Sequence, residues 1–202
     1  QRLDQRAVRR HIGGMDTNAV YQDTFREELI DGEIVKMAPP PVGHVFAANS
    51  ILYIFKRYLK GKKCIPFGGL LVHLTENDRF VPDMMVVCDR SKIRRNGVYG
   101  APDLVVEVLS PSTAKNDKGY KKDVYESSGV PEYWIVDPVV RSIEVYLLRN
   151  GRYVLDNIYT LYSAEELEEM TDEEKAAVIT EFKCHLDDDL VIRLEDIFND
   201  WF

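Results

Sequence analysis

The stretch Ala101 to Thr113, APDLVVEVLSPST, sets a glutamate in the middle of an otherwise apolar strand. Alternation places Glu107 on the same face as Val105 and Leu109, while Leu104, Val106 and Val108 point the other way, so neither face reads as solvated. A second strand repeats the anomaly. In VPDMMVV, residues 81–87, Asp83 shares a face with Met85 and Val87, and Pro82 suits a strand start rather than a mid-sheet position. An ionised carboxylate away from water costs several kcal/mol unless a cation, donors or a raised pKa compensates it. One divalent ion between the two would satisfy both. Oxygen ligands without an accompanying cysteine or paired histidine favour Mg²⁺ or Mn²⁺ over Zn²⁺. Arginines or backbone amides at strand ends would serve as well, so the strand pattern alone leaves both readings open.

The next segment adds a cation. Lys121 follows Glu107 on the helix that begins just past the strand end and shares a helical face with Tyr125 at i+4, with Lys122 as its rival. A lysine beside two carboxylates and a metal can orient water and stabilise charge on a phosphate, which is what metal-assisted phosphodiester hydrolysis needs.

Outward from this centre, QRLDQRAVRRHIGG has no period and precedes Met15, so residues 1–15 read as a flexible extension or expression remnant ahead of one domain at 16–202. FREELIDGEIVKM predicts a hairpin about Asp31-Gly32, and HVFAANSILYIFKRYLKGKK an amphipathic helix ending near Gly61. Strands are expected at 69–74, 80–88 and 103–109, then a helix from Asn116 or Asp117 to about Ser128. A strand at 132–136 and a hairpin about Asn150-Gly151 follow. The acidic insertion at 163–189 reads as a surface helix, AEELEEMTDEEKAAVITEF, with only a thin apolar stripe and dispensable to the core. A short strand at 190–192 and a helical turn, LEDIF, close the chain. The fold class is α/β in the mixed α+β sense, a mixed β-sheet flanked by helices with added β-hairpins.

Composition frames the partners. The 202 residues carry a net charge of −8, yet residues 163–190 hold eleven acids and two lysines, which leaves the remainder roughly neutral. Its basic residues cluster at Lys56-Arg57, Lys60–Lys63, Lys92–Arg95 and Lys115–Lys122, although scattered surface lysines would look the same. No apolar run is long enough for a membrane span and no secretory leader is legible, so a cytoplasmic protein without membrane partners is expected. Cys64, Cys88 and Cys184 lie far apart without a C-x-x-C pair and are expected as buried small hydrophobes rather than a disulfide framework.

APDLVVEVLSPST, DKGYKKDVY and GVPEYWIVDP, preceded by ELIDGEIVKM, PPPVGH and the Pro82-Asp83 strand, together resemble the Uma2 family of the PD-(D/E)xK nuclease superfamily over roughly residues 27–148. The resemblance implies a restriction-endonuclease-like core and a Mg-dependent (or Mn-dependent) endonuclease acting on nucleic acid, DNA being expected, with a homodimer left open. It implies Asp83 and Glu107 as metal ligands and Val108 as a carbonyl ligand. Leu109 stands where the superfamily usually has its lysine, and Lys121, in the pattern Asp117, Lys121, Tyr125, fits a lysine displaced to the following helix. His44 opens the first helix where an additional active-site group is often found, and Glu28 or Glu33 could reach the same cleft. Tyr133 and Trp134 read as core aromatics. The acidic insertion departs from the family pattern. Two other readings compete: a non-catalytic nucleic-acid-binding or regulatory module keeping the fold, and a protein-interaction domain using its acidic helix.

Overall fold

Residues 27–198 are described by a computed structural model of the chain, so the expectation for residues 1–15 lies outside the described residues. The chain opens with the hairpin β1 (Glu27–Ile30) and β2 (Glu33–Lys36), turned by Asp31 and Gly32 at φ 52° and 79°. Helix α1 (Val42–Tyr58) buries His44, Ala47, Ile51 and Phe55 at three- and four-residue spacing, which places one apolar stripe against the sheet. Seven short strands follow: β3 (Ile65–Gly68), β4 (Val72–His73), β5 (Arg79–Phe80), β6 (Met84–Val87), β7 (Ile93–Arg94), β8 (Gly97–Tyr99) and β9 (Leu104–Val108). Helices α2 (Ala114–Lys118) and α3 (Tyr120–Ser128) lead to β10 (Glu132–Asp137), β11 (Ser142–Arg149) and β12 (Arg152–Thr160). Two short helices, α4 (Ala164–Glu169) and α5 (Asp172–Ala176), precede the pair β13 (Glu181–Lys183) and β14 (Val191–Arg193) and the last turn α6 (Glu195–Phe198).

The main sheet runs β12-β11-β10-β9-β6-β3, and a second runs β2-β1-β5-β4-β8-β7. Within the main sheet β9 and β10 are parallel, joined by a crossover through α2 and α3, and the other pairs are antiparallel. Both faces of β9 are buried. Leu104, Val106 and Val108 join α1, α6 and Trp134 in one core, while Val105 and Leu109 join Phe80, Met85, Tyr125 and Tyr133 in another. Glu107 therefore lies on the face that the second sheet and α3 cover. The mixed α+β class and the flanking helices are as the sequence implies.

Several elements differ from the sequence reading. The strand expected at 69–74 is broken short, with only Val72 and His73 paired, in the second sheet, and β3, which the sequence reading did not anticipate, pairs with β6 ahead of it. The strand expected at 80–88 is divided, with Pro82, which has no N–H for a ladder, between β5 and β6. The helix expected from 116 to 128 breaks at Gly119, where a Cβ would lie 2.9 Å from the carbonyl oxygen of Lys115. Cys64 and Cys88 are joined in a disulfide, because they extend the β3–β6 ladder one step beyond the pair Ile65 and Val87. Only Cys184 is a free, buried cysteine among the described residues. No helix among them is long and apolar enough to cross a membrane.

The acidic segment is also divided. Capping boxes at Ser163/Glu166 and Thr171/Glu174 start two exposed helices in place of one. Phe182, expected at the end of that helix, lies in β13 and is buried, stacked on Tyr159 at 4.1 Å and edge-on to Trp134 at 5.2 Å. Cys184 and Leu190 are buried with it. Glu132, itself buried, accepts from Trp134 Nε1 at 2.8 Å and from the Leu186 N–H at 3.0 Å, and so fastens this return to the core. The expected dispensable stretch thus shortens at its C-terminal end. Replacing residues 164–178 by a flexible linker should leave a cooperatively unfolding domain, whereas Phe182→Ala should cost about 3–5 kcal/mol in a denaturant titration. A loss below about 1 kcal/mol for Phe182→Ala would contradict its place in the core.

Candidate active site

Strands β6 and β9 pair Met84 with Val106 and Met85 with Val105. Continued by one residue, that register sets Asp83 opposite Glu107, on one face of neighbouring strands. Asp83 Oδ2 accepts from the Val108 N–H at 2.8 Å and lies 3.1 Å from His44 Nε2, which the first turn of α1 presents to the start of β6. The other ring nitrogen of His44, Nδ1, is buried without a partner. Val108 therefore meets Asp83 through its N–H.

Lys121 is the hub of the cluster. Its Nζ stands 2.7 Å from Glu107 Oε1, 3.2 Å from Glu28 Oε1 and 3.3 Å from Asp117 Oδ1, with the lysine side chain only 2% exposed. Each partner comes from a different element. Glu28 is carried by β1 and held by the Val81 N–H at 2.7 Å, and Asp117 ends α2 just before the Gly119 break. Tyr125, one turn along α3 from Lys121, donates its hydroxyl to Glu107 Oε1 at 2.8 Å, and Tyr133 donates to the Asp117 backbone carbonyl at 2.9 Å. Phe80 covers the ammonium at 5.4 Å from its ring centroid.

The structure thus brings Asp83, Glu107, Lys121, His44 and Val108 together. Of the two candidate hairpin glutamates, Glu28 enters the cluster and Glu33 is exposed on β2. Lys122 points away, its Nζ 3.5 Å from the Tyr146 ring centroid. Asp117 and Tyr125 belong to the cluster as side chains that touch the two central charges, a role which the sequence reading gave neither. Their signal was the D-x-x-x-K-x-x-x-Y spacing, which stacks three residues at i, i+4 and i+8 on one helical face.

The electrostatics follow from burial. Burial, foremost, pushes the Glu107 carboxyl well above the ordinary carboxylate range; Lys121 pulls it down, and the carboxylates of Asp117, Asp83 and Glu28 push it further up. Asp117 is raised by burial in the same way, against the pull of Lys121. For Lys121, burial works against the charge, but Glu107, Glu28 and Asp117 outweigh it and hold the ammonium well above the ordinary lysine range. Tyr125 is raised by burial and by Glu107, so it remains a donor. Three carboxylates face one lysine and Asp83 stands beside Glu107 on the next strand, and that excess of negative charge fits a hard cation. Among the described residues no three His, Cys, Asp or Glu side chains converge as a ligand set. Two carboxylates suit Mg²⁺, which usually keeps several waters and takes one or two protein carboxylates, better than a site enclosed by protein ligands.

A family model described as "Uma2: Putative restriction endonuclease" matches residues 17–177. The uncharacterized protein slr1290 of Synechocystis sp. is 29% identical over 124 residues, covering 60% of this chain and 65% of that protein. The uncharacterized protein sll1609 of the same organism is 27% identical over 130 residues, covering 62% and 73%. The match therefore spans just under two thirds of the length of slr1290. A crystal structure described as "a putative nuclease belonging to DUF820 from Anabaena variabilis" superposes with a TM-score of 0.64 at 18% identity, covering 86% of this chain and 89% of that one, and shares the fold.

The raised Glu107 carboxyl has a pH signature. A carboxyl whose folded pKa exceeds its unfolded value of about 4.3 contributes stability below that value and loses it as pH rises through the folded pKa. Glu107→Gln removes that loss while Lys121 keeps Glu28 and Asp117. In EDTA, the melting temperature of Glu107→Gln relative to wild type should rise between about pH 5 and pH 8, by roughly 2–4 °C for each kcal/mol relieved. A difference that is flat or shrinks over this range would contradict the assignment.

Proposed function

The chain belongs to the Uma2 family, and on that footing we propose that it is a metal-dependent nuclease that hydrolyses phosphodiester bonds of nucleic acid, with DNA as the substrate. The observation that carries this reading is the group of Asp83, Glu107 and Lys121, in which two carboxylates stand opposite each other on adjacent strands and a buried ammonium is fixed 2.7 Å from Glu107. Asp83 and Glu107 would hold Mg²⁺ or Mn²⁺, with the Val108 backbone as a further contributor. When bound, such an ion polarises a phosphoryl oxygen and lowers the pKa of a bound water.

The chain's own residues do the rest. Lys121 is held protonated, so its part is to carry positive charge toward the phosphate and to position water, not to accept a proton. Glu28, Asp117 and Tyr125 fix the lysine and Glu107 in place, which removes reorganisation at the moment of reaction. The Val108 N–H and His44 orient the Asp83 carboxylate. With Glu107 and Lys121 nearly closed off, the Asp83 and His44 side chains, 13% and 11% exposed, are the approach for substrate.

One feature supports the competing reading of a non-catalytic nucleic-acid-binding module: the lysine is enclosed by three carboxylates of its own chain. Cleavage assays separate the two. Asp83→Ala and Glu107→Ala should abolish Mg²⁺- or Mn²⁺-dependent cleavage and weaken metal binding. Lys121→Ala should lower cleavage by about two orders of magnitude or more while leaving metal binding largely intact. If single- and double-stranded DNA and RNA are cut no faster by wild type than by Asp83→Ala, the binding-module reading takes its place.

A further inference from the structure

The second sheet has an outer face that the active-site cluster does not use. Val72, Phe80 and Val98 point inward and are fully buried, so alternation turns His73, Arg79 and Tyr99 outward on β4, β5 and β8. The register makes His73 the direct partner of both Arg79 and Tyr99, so the three form one row across the strands. The His73 and Tyr99 rings stack at 4.1 Å with planes 8° apart, and the Arg94 guanidinium lies over the Tyr99 ring at 4.4 Å. Stacking of this kind holds an exposed guanidinium in one orientation before any ligand arrives.

Arg79 on β5, Arg94 on β7 and Arg95 in the β7–β8 turn are exposed, and among the described residues none of them is ion-paired. Elsewhere Arg141, Arg149, Arg152 and Arg193 each hold a carboxylate and Arg90 reaches the Lys62 and Lys63 carbonyls, while Arg57 is likewise exposed without an ion pair. Of the nearby acids two are already engaged, while Glu27 on β1 and Glu76 in the β4–β5 turn are exposed. Asp78 takes the Asp31 N–H and the Thr75 hydroxyl, and Asp89 takes the backbone and side chain of Ser91. His73 Nε2 is buried with no partner, and burial, with Arg79 and Arg94 adding to it, holds the ring below its ordinary pKa and so neutral between the guanidiniums. In a chain of net charge −8, the unpaired guanidiniums of Arg79 and Arg94 on this face, with Arg95 on the adjoining turn, make a local positive surface.

We propose that the outer face of the second sheet and its β7–β8 turn, through Arg79, Arg94 and Arg95, contact the phosphate backbone of nucleic acid at a distance from the cleavage site. Guanidiniums spread over a flat sheet suit a series of phosphates, and charge complementarity selects a polyanion over a neutral partner. The identity of that polyanion rests on the nuclease reading, while the face itself does not.

Binding of a short labelled DNA duplex of mixed sequence, followed by fluorescence anisotropy in EDTA over a salt series, tests the proposal without cleavage. The triple variant Arg79→Ala, Arg94→Ala, Arg95→Ala should weaken binding tenfold or more, by order of magnitude, and flatten the dependence of log K on log salt by roughly 3. Arg149→Ala, which removes a guanidinium already paired with Asp156, should change neither. No binding by wild type, or an unchanged affinity and salt slope in the triple variant, overturns the proposal. Cleavage by wild type with unchanged binding in the triple variant removes this face and leaves the nuclease reading. Arginine-dependent binding without cleavage keeps the face and removes the catalytic reading.

Discussion

The structure depends on one electrostatic constraint: Glu28, Glu107 and Asp117 are drawn around a single lysine between two sheets, with Asp83 beside Glu107 on the neighbouring strand. Each buried ion loses several kcal/mol of hydration, and breaking a buried pair by removing one partner typically costs 3–5 kcal/mol, so the geometry has to be fixed from several sides. The β6–β9 register fixes Asp83 against Glu107, the Val81 N–H fixes Glu28, and Asp117 and Lys121 meet at i and i+4 across the Gly119 break. Elements far apart in sequence are held in common by this cluster. A hydrophobic core alone would not have required them to meet.

The constraint also explains what was legible in the sequence. A carboxylate in an apolar strand is visible without a structure, and Asp83 and Glu107 stood out for that reason. Asp-Gly and Asn-Gly turns and the apolar stripe of α1 were readable because each is a local signal. Asp117 was harder, since an aspartate at a helix start reads first as a cap. Glu28 could not be separated from Glu33, because a two-stranded hairpin does not reveal which face will be covered.

Other features depended on partners that only the fold supplies. The division at Pro82 and the shortening of the strand after Gly69 follow from the chain passing between two sheets, and the Cys64–Cys88 bridge follows from the β3–β6 pairing. Phe182 and Cys184 were hidden by the acids around them; their burial rests on Tyr159, Trp134 and Glu132. The row of Arg79, His73 and Tyr99 is built from strands of two or three residues, too short for a period to show. Charge is divided accordingly. The acid-rich helices are tethered at Arg141 beside the main sheet, while the unpaired Arg79 and Arg94 lie on the second sheet, so a net charge of −8 describes neither surface.

The central claim is that Asp83 and Glu107 form a divalent-cation site beside Lys121. A crystal of the wild-type protein soaked in Mn²⁺, with anomalous diffraction data, tests it most directly. The account predicts an anomalous peak between the two carboxylates, with the Lys121 ammonium still within ion-pair distance of Glu28 or Asp117. Mn²⁺ that binds only elsewhere, or carboxylates that remain without a peak at saturating Mn²⁺, would contradict it.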